Sequence, residues 1–207
     1  MLRRLAQECA PAHDRLIYFL AYTGLRFGEM ASLRLRDVDL DRRGVNVSAN
    51  VVEISGRPQT DTPKNHRARS VPVPRFLVPA LRDLVADRAP DHLLFTTKTG
   101  KQLPNSNFRH HVFDPAVERC GLQPLTPHDL RDTAASLAVA AGANVKVVQR
   151  MLGHASAGLT LDIYAGLFDG DLDAVADRLD EAATRDADTV RTNDPLGLGV
   201  ADKPLRP

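Results

Sequence analysis

GVNVSANVVEISGRPQTDTPKNHRARSVPVP, residues 44–74, decides the fold class, because the periodicity of the chain changes there. Val45, Val47, Val51, Val52 and Ile54 fall in short β-type runs, split by Gly44 and Gly56. RSVPVP, from Arg69, is a third strand-like piece whose two prolines suit an edge better than a central position. Between the second and third pieces, GRPQTDTPKNHRA reads as a polar turn that holds Lys64.

Outward from this stretch, helices dominate. Upstream, HDRLIYFLAYTGLRFGEMASL (residues 13–33) reads as helix, turn, helix, with Gly24 ending the first helix and Phe27 starting the second. Tyr18 and Tyr22 fall in its apolar run and are expected in the core. Downstream, residues 76–88 are amphipathic and LLFTTKTGKQL is a short extended piece and a turn. Residues 105–119 read as helix, kinked or split by Pro115. In TPHDLRDTAASLAVAAG (126–142), Thr126 is an expected N-cap, Pro127 the first helical residue, Asp129 a capping-box partner and Gly142 the stop. Asn144 caps a further helix that stops at Gly153, and residues 160–166 form a last short helical piece carrying Tyr164. Leu172, Val175, Ala176 and Leu179 share one face, so an amphipathic helix is expected at about 170–182. The acidic, proline-containing residues 183–207 are expected to be disordered.

The length of 207 residues accommodates one good-sized core. No apolar run reaches the ~20 residues of a membrane span, and the N-terminus lacks the apolar core of a signal peptide. Cys9 and Cys120 have no metal-ligand or redox spacing, so free thiols and a cytoplasmic setting are expected. Net charge is +1, but unevenly spread. Residues 1–164 carry 22 Lys and Arg against 16 Asp and Glu, while residues 165–207 carry 5 against 10. A basic body suits a polyanion such as DNA, although solvated surface charge explains it equally well.

Several polar residues are candidates for chemistry, and each also has a plain structural reading. His128 and Arg131, three apart at a helix start, share a face near the positive helix end, where an anion is favoured. They equally suit a polar cap and an ion pair with Asp132 or Glu118. Arg26 sits in the tight turn TGLRFGE, which presents a guanidinium matched to phosphate oxygens, or simply a surface arginine. Glu29 either orients a nearby cation or is solvated. Lys64 in its turn, His154 after a helix-ending glycine and Tyr164 are each unremarkable alone.

Their order is not. The chain reads TGLR-x-GE, then a lysine in a β-turn before a strand, then H-x-x-R, then LGH, then a tyrosine ten residues after the histidine. Over roughly residues 10–180 this resembles the catalytic domain of the tyrosine recombinases, the phage integrase family. The resemblance implies an α+β fold, mostly α-helical with a small antiparallel three-stranded sheet, and a catalytic domain over residues 1–182. It implies that Tyr164 attacks a DNA phosphodiester to give a 3′-phosphotyrosine and a free 5′-hydroxyl. Arg26 and Arg131 would clamp the non-bridging oxygens, and Lys64 would protonate the leaving 5′-oxygen. His128 would assist proton transfer at the tyrosine, His154 would donate to the phosphate, and Glu29 would support.

The implied partners are a double-stranded DNA recombination site, further protomers in a tetramer that exchange C-terminal helices, and accessory DNA-bending proteins. The implied setting is bacterial, cytoplasmic and nucleoid-associated. No cofactor, metal or membrane is expected. Members of this family usually carry an N-terminal core-binding domain, which is expected to be absent from this chain. Rival readings are a type IB topoisomerase, a DNA-binding module without strand transfer, and a metal hydrolase using His128 and His154. The last pair lacks compact ligand spacing and a carboxylate partner.

Overall fold

Helix α1 (Leu2–Glu8) leads into α2 (Asp14–Thr23), and a sharp turn at Gly24 starts α3 (Phe27–Ser32). The computed structural model describes residues 1–54, 57–61 and 68–167, and further on 176–177, 179–181 and 183–184. Gly24 ends α2 in the left-handed region at φ 66°, where glycine carries no Cβ penalty. A Cβ there would lie 2.6 Å from Leu152 Cδ2 and 3.1 Å from the Ala134 Cβ, so two later helices meet the α2–α3 turn at this point. Gly24→Ala is therefore expected to cost on the order of 2–4 kcal/mol from backbone strain and overpacking. Urea unfolding checks it, and an unchanged midpoint would mean that the turn is not packed this way.

The strands are β1 (Val38–Asp39), β2 (Gly44–Val47), β3 (Asn50–Ile54), β4 (Arg57–Asp61) and β5 (Arg69–Pro72). β1, β2 and β5 form an antiparallel three-stranded sheet in that order, with Val47 opposite Arg69. β5 is an edge strand, as its proline pattern predicts. Membership of the sheet differs from the sequence reading. The second apolar piece, β3, does not join it but pairs antiparallel with β4, inside the segment read as a turn. Two-residue β1 takes the vacant place at the other edge, and a piece that short carries no alternation to detect.

Then come α4 (Val78–Val85), α5 (Asn105–Phe108), a π-helical turn over Arg109–Phe113 and α6 (Asp114–Cys120). Pro115 lies in the first turn of α6. A proline donates no backbone bond to the preceding turn, and the run answers with a π-helical turn just ahead of it while staying helical through Cys120. α7 (Asp129–Ala140), α8 (Val145–Leu152) and α9 (Ala157–Tyr164) follow, and a 3-10 turn over Ala165–Leu167 ends the described part of this unit. α7 starts two residues later than expected. Asp129 Oδ2 accepts from both the Thr126 N–H (2.6 Å) and the Thr126 hydroxyl (2.8 Å), which closes a turn ahead of the helix rather than its first turn. α8 is capped by Asn144, whose side chain accepts from the Val147 N–H at 3.0 Å. α9 begins earlier than residue 160, because Ser156 caps it through the Leu159 N–H at 3.1 Å.

The main core joins Leu16, Ile17, Phe19 and Leu20 of α2 to Met30 of α3, Val45, Val47 and Val71 of the sheet, and Phe108 and Phe113. A smaller cluster of Ala135, Val148, Leu152 and Tyr164 lies between α7, α8 and α9. Tyr18 and Tyr22 are half-buried rather than central and pack edge-on against Phe76. Cys9 and Cys120 are buried free thiols. Residues 1–168 form one unit and residues 169–207 a second. Of the helix expected at 170–182, the described residues 176–177 and 179–181 are helical, and so are 183–184. The remainder, and the tail beyond, lie outside the described residues. Among the described residues no helix is long and apolar enough to cross a membrane.

Candidate active site

The turn after Gly24 makes Arg26 the N-cap of α3, with its side chain 45% exposed. Glu29, one turn on, closes the cap. Its Oε2 accepts from the Arg26 backbone N–H at 2.9 Å, and its Oε1 accepts from Arg26 Nη1 at 3.1 Å. Glu29 is 2% exposed and is not solvated. Burial alone would raise its carboxyl, but hydrogen bonds and charge from Arg69, then Arg26, outweigh burial and hold it below the ordinary carboxylate value.

Arg131 enters from the first turn of α7 and is 2% exposed. It pairs with neither Asp132 nor Glu118. Nη1 donates to the Gly24 carbonyl and Nη2 to the Leu152 carbonyl, so one guanidinium joins the α2–α3 turn to the end of α8. Burial, then the neighbouring charge of Arg26, lower it to about 10, and it stays protonated at neutral pH. A guanidinium has five N–H donors, and three remain after these two bonds.

α8 ends in a Schellman turn. The Gly153 N–H donates to the Arg150 carbonyl (3.2 Å) and the His154 N–H to the Gln149 carbonyl (3.1 Å), with Gly153 at φ 68°. That turn directs His154 toward α9, where its Nδ1 lies 3.0 Å from the hydroxyl of fully buried Thr160. Thr160 and Tyr164 are one turn apart on the same face of α9. The rings of His154 and Tyr164 are parallel, with centroids 6.2 Å apart. The ten-residue spacing thus holds a turn, a cap and two helical turns. Burial, then the charges of Arg131, Arg26 and Arg69, push His154 down to about 4, so the ring is neutral at physiological pH.

Tyr164 is 7% exposed and its hydroxyl donates to Asp132 Oδ1 at 2.6 Å. Burial raises the phenol, and the hydrogen bond and charge of Asp132 raise it further, against the lowering pull of Arg131 and Arg26. In this state the nucleophile candidate holds its proton.

Five sequence-predicted residues therefore converge: Arg26, Glu29, Arg131, His154 and Tyr164. His128 is exposed at the N-cap of α7, a turn before Arg131, and among the described residues its ring has no hydrogen-bond partner. Lys64 lies outside the described residues. An open cleft beside the cluster is lined by Arg26, Glu29, Arg69, Gln149, Arg150 and His154, among others. Arg131 and Tyr164 are buried and do not line it. Two participants escaped the sequence reading. Arg69 binds Glu29 through two hydrogen bonds of 2.9 and 2.7 Å, and Asp132 holds Tyr164. Asp132 had a signal, since it directly follows Arg131 in the H-x-x-R motif. Arg69 had none beyond opening a strand. Among the described residues no group of three or more His, Cys, Asp or Glu is arranged to hold a metal ion.

Residues 1–170 match the phage integrase family, and the chain belongs to it. It is 33% identical over 146 residues to the integrase of Mycobacterium phage D29, covering 67% of this chain and 39% of that protein. It is 32% identical over 166 residues to the tyrosine recombinase XerC of Mycobacterium bovis, covering 80% of this chain and 53% of that one. The chain thus spans about half, or less, of the length of the curated relatives it matches. Among solved structures, the Tn1549 transposon integrase in complex with a circular intermediate DNA superposes with a TM-score of 0.71 at 22% identity, covering 86% of this chain and 62% of that one. The catalytic domain of bacteriophage HP1 integrase gives 0.61 at 20% identity, covering 85% and 89%. These likenesses establish the fold, mostly helical with a small antiparallel three-stranded sheet.

Proposed function

We propose that this chain is the catalytic domain of a site-specific DNA recombinase that cleaves and rejoins strands through a 3′-phosphotyrosine at Tyr164. The observation that carries the reading is the convergence of two arginines, a neutral histidine and a tyrosine from four separate segments beside one basic cleft, in a member of this family. Phosphodiester transfer needs charge neutralisation, in-line positioning and a proton for the leaving alkoxide. Arg26 and the three remaining donors of Arg131 neutralise the non-bridging oxygens. With Thr160 donating to Nδ1, His154 carries its proton on Nε2 and donates it to the phosphate. His128 assists proton transfer at Tyr164. Lys64 protonates the 5′-oxygen as the P–O5′ bond breaks and the P–O(Tyr) bond forms. Phosphodiester is exchanged for phosphodiester, so rejoining needs no nucleotide.

The state described is a resting one. Tyr164 must leave Asp132 before it attacks, and a phosphate must reach a covered Arg131. The partner is double-stranded DNA, in keeping with the Tn1549 relative solved on DNA and with XerH, solved bound to difH substrate. Assembly as a tetramer with exchanged C-terminal helices, accessory bending proteins and a bacterial intracellular setting follow from the same reading.

A nicked duplex that traps the cleaved state, taken from the element flanking the gene, tests the reading on a denaturing gel. A covalent protein–DNA band is expected, and it is expected to persist in EDTA. A band abolished by EDTA would point to metal chemistry. DNA binding without any band in the full-length protein would leave a binding module.

A further inference from the structure

We propose that Arg69 is a positioning residue for this site, holding Glu29 so that Arg26 faces the cleft and holding the Met151–His154 segment in register. The proposal rests on the reading of the cleft given above. Arg69 is fixed at its root, because it opens β5 opposite Val47 in the sheet. Its side chain is only 13% exposed. All of the polar reach of that side chain goes to two structures that carry candidate catalytic groups.

The first is Glu29. A carboxylate has about four lone-pair sites, and four donors occupy them here. Arg69 supplies two, at 2.9 and 2.7 Å, while the Arg26 backbone N–H and Nη1 supply the others. Arg69 is thus the permanent counter-ion of a buried charge. Without it, Glu29 would have only the Arg26 guanidinium for compensation, and a buried unpaired carboxylate is costly enough to draw that guanidinium fully onto itself. Arg26 would then become a structural cation and stop facing the cleft.

The second is the end of α8. Arg69 Nε donates to the Met151 carbonyl at 3.1 Å, while Arg131 takes the next carbonyl, that of Leu152. Two cations therefore satisfy the last carbonyls at the negative end of this helix. Gly153 lies flush against the Arg69 guanidinium, and a Cβ there would sit 2.8 Å from Cζ. The Schellman turn that aims His154 is consequently built on Arg69. A lysine supplies one compact charge and no planar fork, so it cannot serve Glu29 and Met151 together.

The test uses Arg69→Gln, with Arg69→Lys as the milder variant that keeps charge and stem. Imidazole titration by NMR reports position without requiring activity. His154 is expected to move from about 4 up toward the ordinary 6.5, because a cation is lost or displaced and water gains access. The other charged groups acting on it, Arg131, Arg26 and Asp132, remain. His13, packed on Phe108 in the main core with its ring also held below the ordinary value by burial, is expected to stay put, which shows that the fold persists. Adduct formation on the nicked duplex is expected to slow about 10²-fold in both variants, with DNA affinity changed little, as a small misplacement of catalytic groups does. An unmoved His154, or an Arg69→Lys variant as fast as the parent, would overturn the proposal. A shifted His154 in a chain whose parent forms no adduct would uphold the positioning role and refute the recombinase reading instead.

Discussion

Tyr164→Phe is expected to abolish the covalent DNA adduct while DNA binding stays within a few-fold of the parent. The phenylalanine ring keeps the packing against Ala135, Val148 and Leu152 and the parallel contact with His154. What disappears is the hydroxyl and its bond to Asp132. Asp132 is only partly buried, so water can replace the lost donor, and stability is expected to fall by about 1 kcal/mol. A large loss of activity beside a small loss of stability is the signature of a missing nucleophile. It is read from denaturing gels and urea unfolding on the same preparation. An adduct that survives the substitution would assign the nucleophile elsewhere.

Arg131→Ala combines a chemical and a structural loss. Removing one preorganised oxyanion donor typically costs ~10²–10³ in rate, and an arginine that presents several donors is expected to exceed that. The same change strips the Gly24 and Leu152 carbonyls of their partner in the interior. Each unsatisfied carbonyl costs about 1–3 kcal/mol, so a destabilisation of several kcal/mol is expected. Arg131→Lys separates the two effects. The charge survives, but a single ammonium cannot bridge two carbonyls and a phosphate, so cleavage is expected to fall about 10²-fold with a smaller loss of stability. Near-parental cleavage by the lysine variant would mean that the guanidinium geometry has no catalytic use.

The features legible in the sequence are those encoded by adjacent residues. Gly24 and Gly153 end helices in the left-handed region and Asn144 caps α8, each through chemistry within a few positions. The H-x-x-R and LGH motifs mark the chain segments that meet at the cleft. What stayed hidden depends on pairings across long separations. Arg69 finds Glu29 over 40 positions and Tyr164 finds Asp132 over 32, and no local pattern announces either contact. The β3–β4 hairpin was hidden for a related reason. Its second strand, RPQTD, is polar and contains a proline, so periodicity cannot separate it from a turn. Ser156 is hard to read as a cap, because Gly158 directly inside the helix weakens its helical pattern. His128 lies where the motif puts it, exposed at the start of α7, because the motif fixes its place along the helix while the direction of its ring depends on what it meets there.

The most direct test of the central claim is to locate the covalent bond itself. The trapped protein–DNA complex would be digested with nuclease and trypsin, and the nucleotide-bearing peptide sequenced by mass spectrometry. A nucleotide joined through its 3′-phosphate to Tyr164 is the expected product. A nucleotide on any other residue, or one attached through a 5′-phosphate, would contradict it.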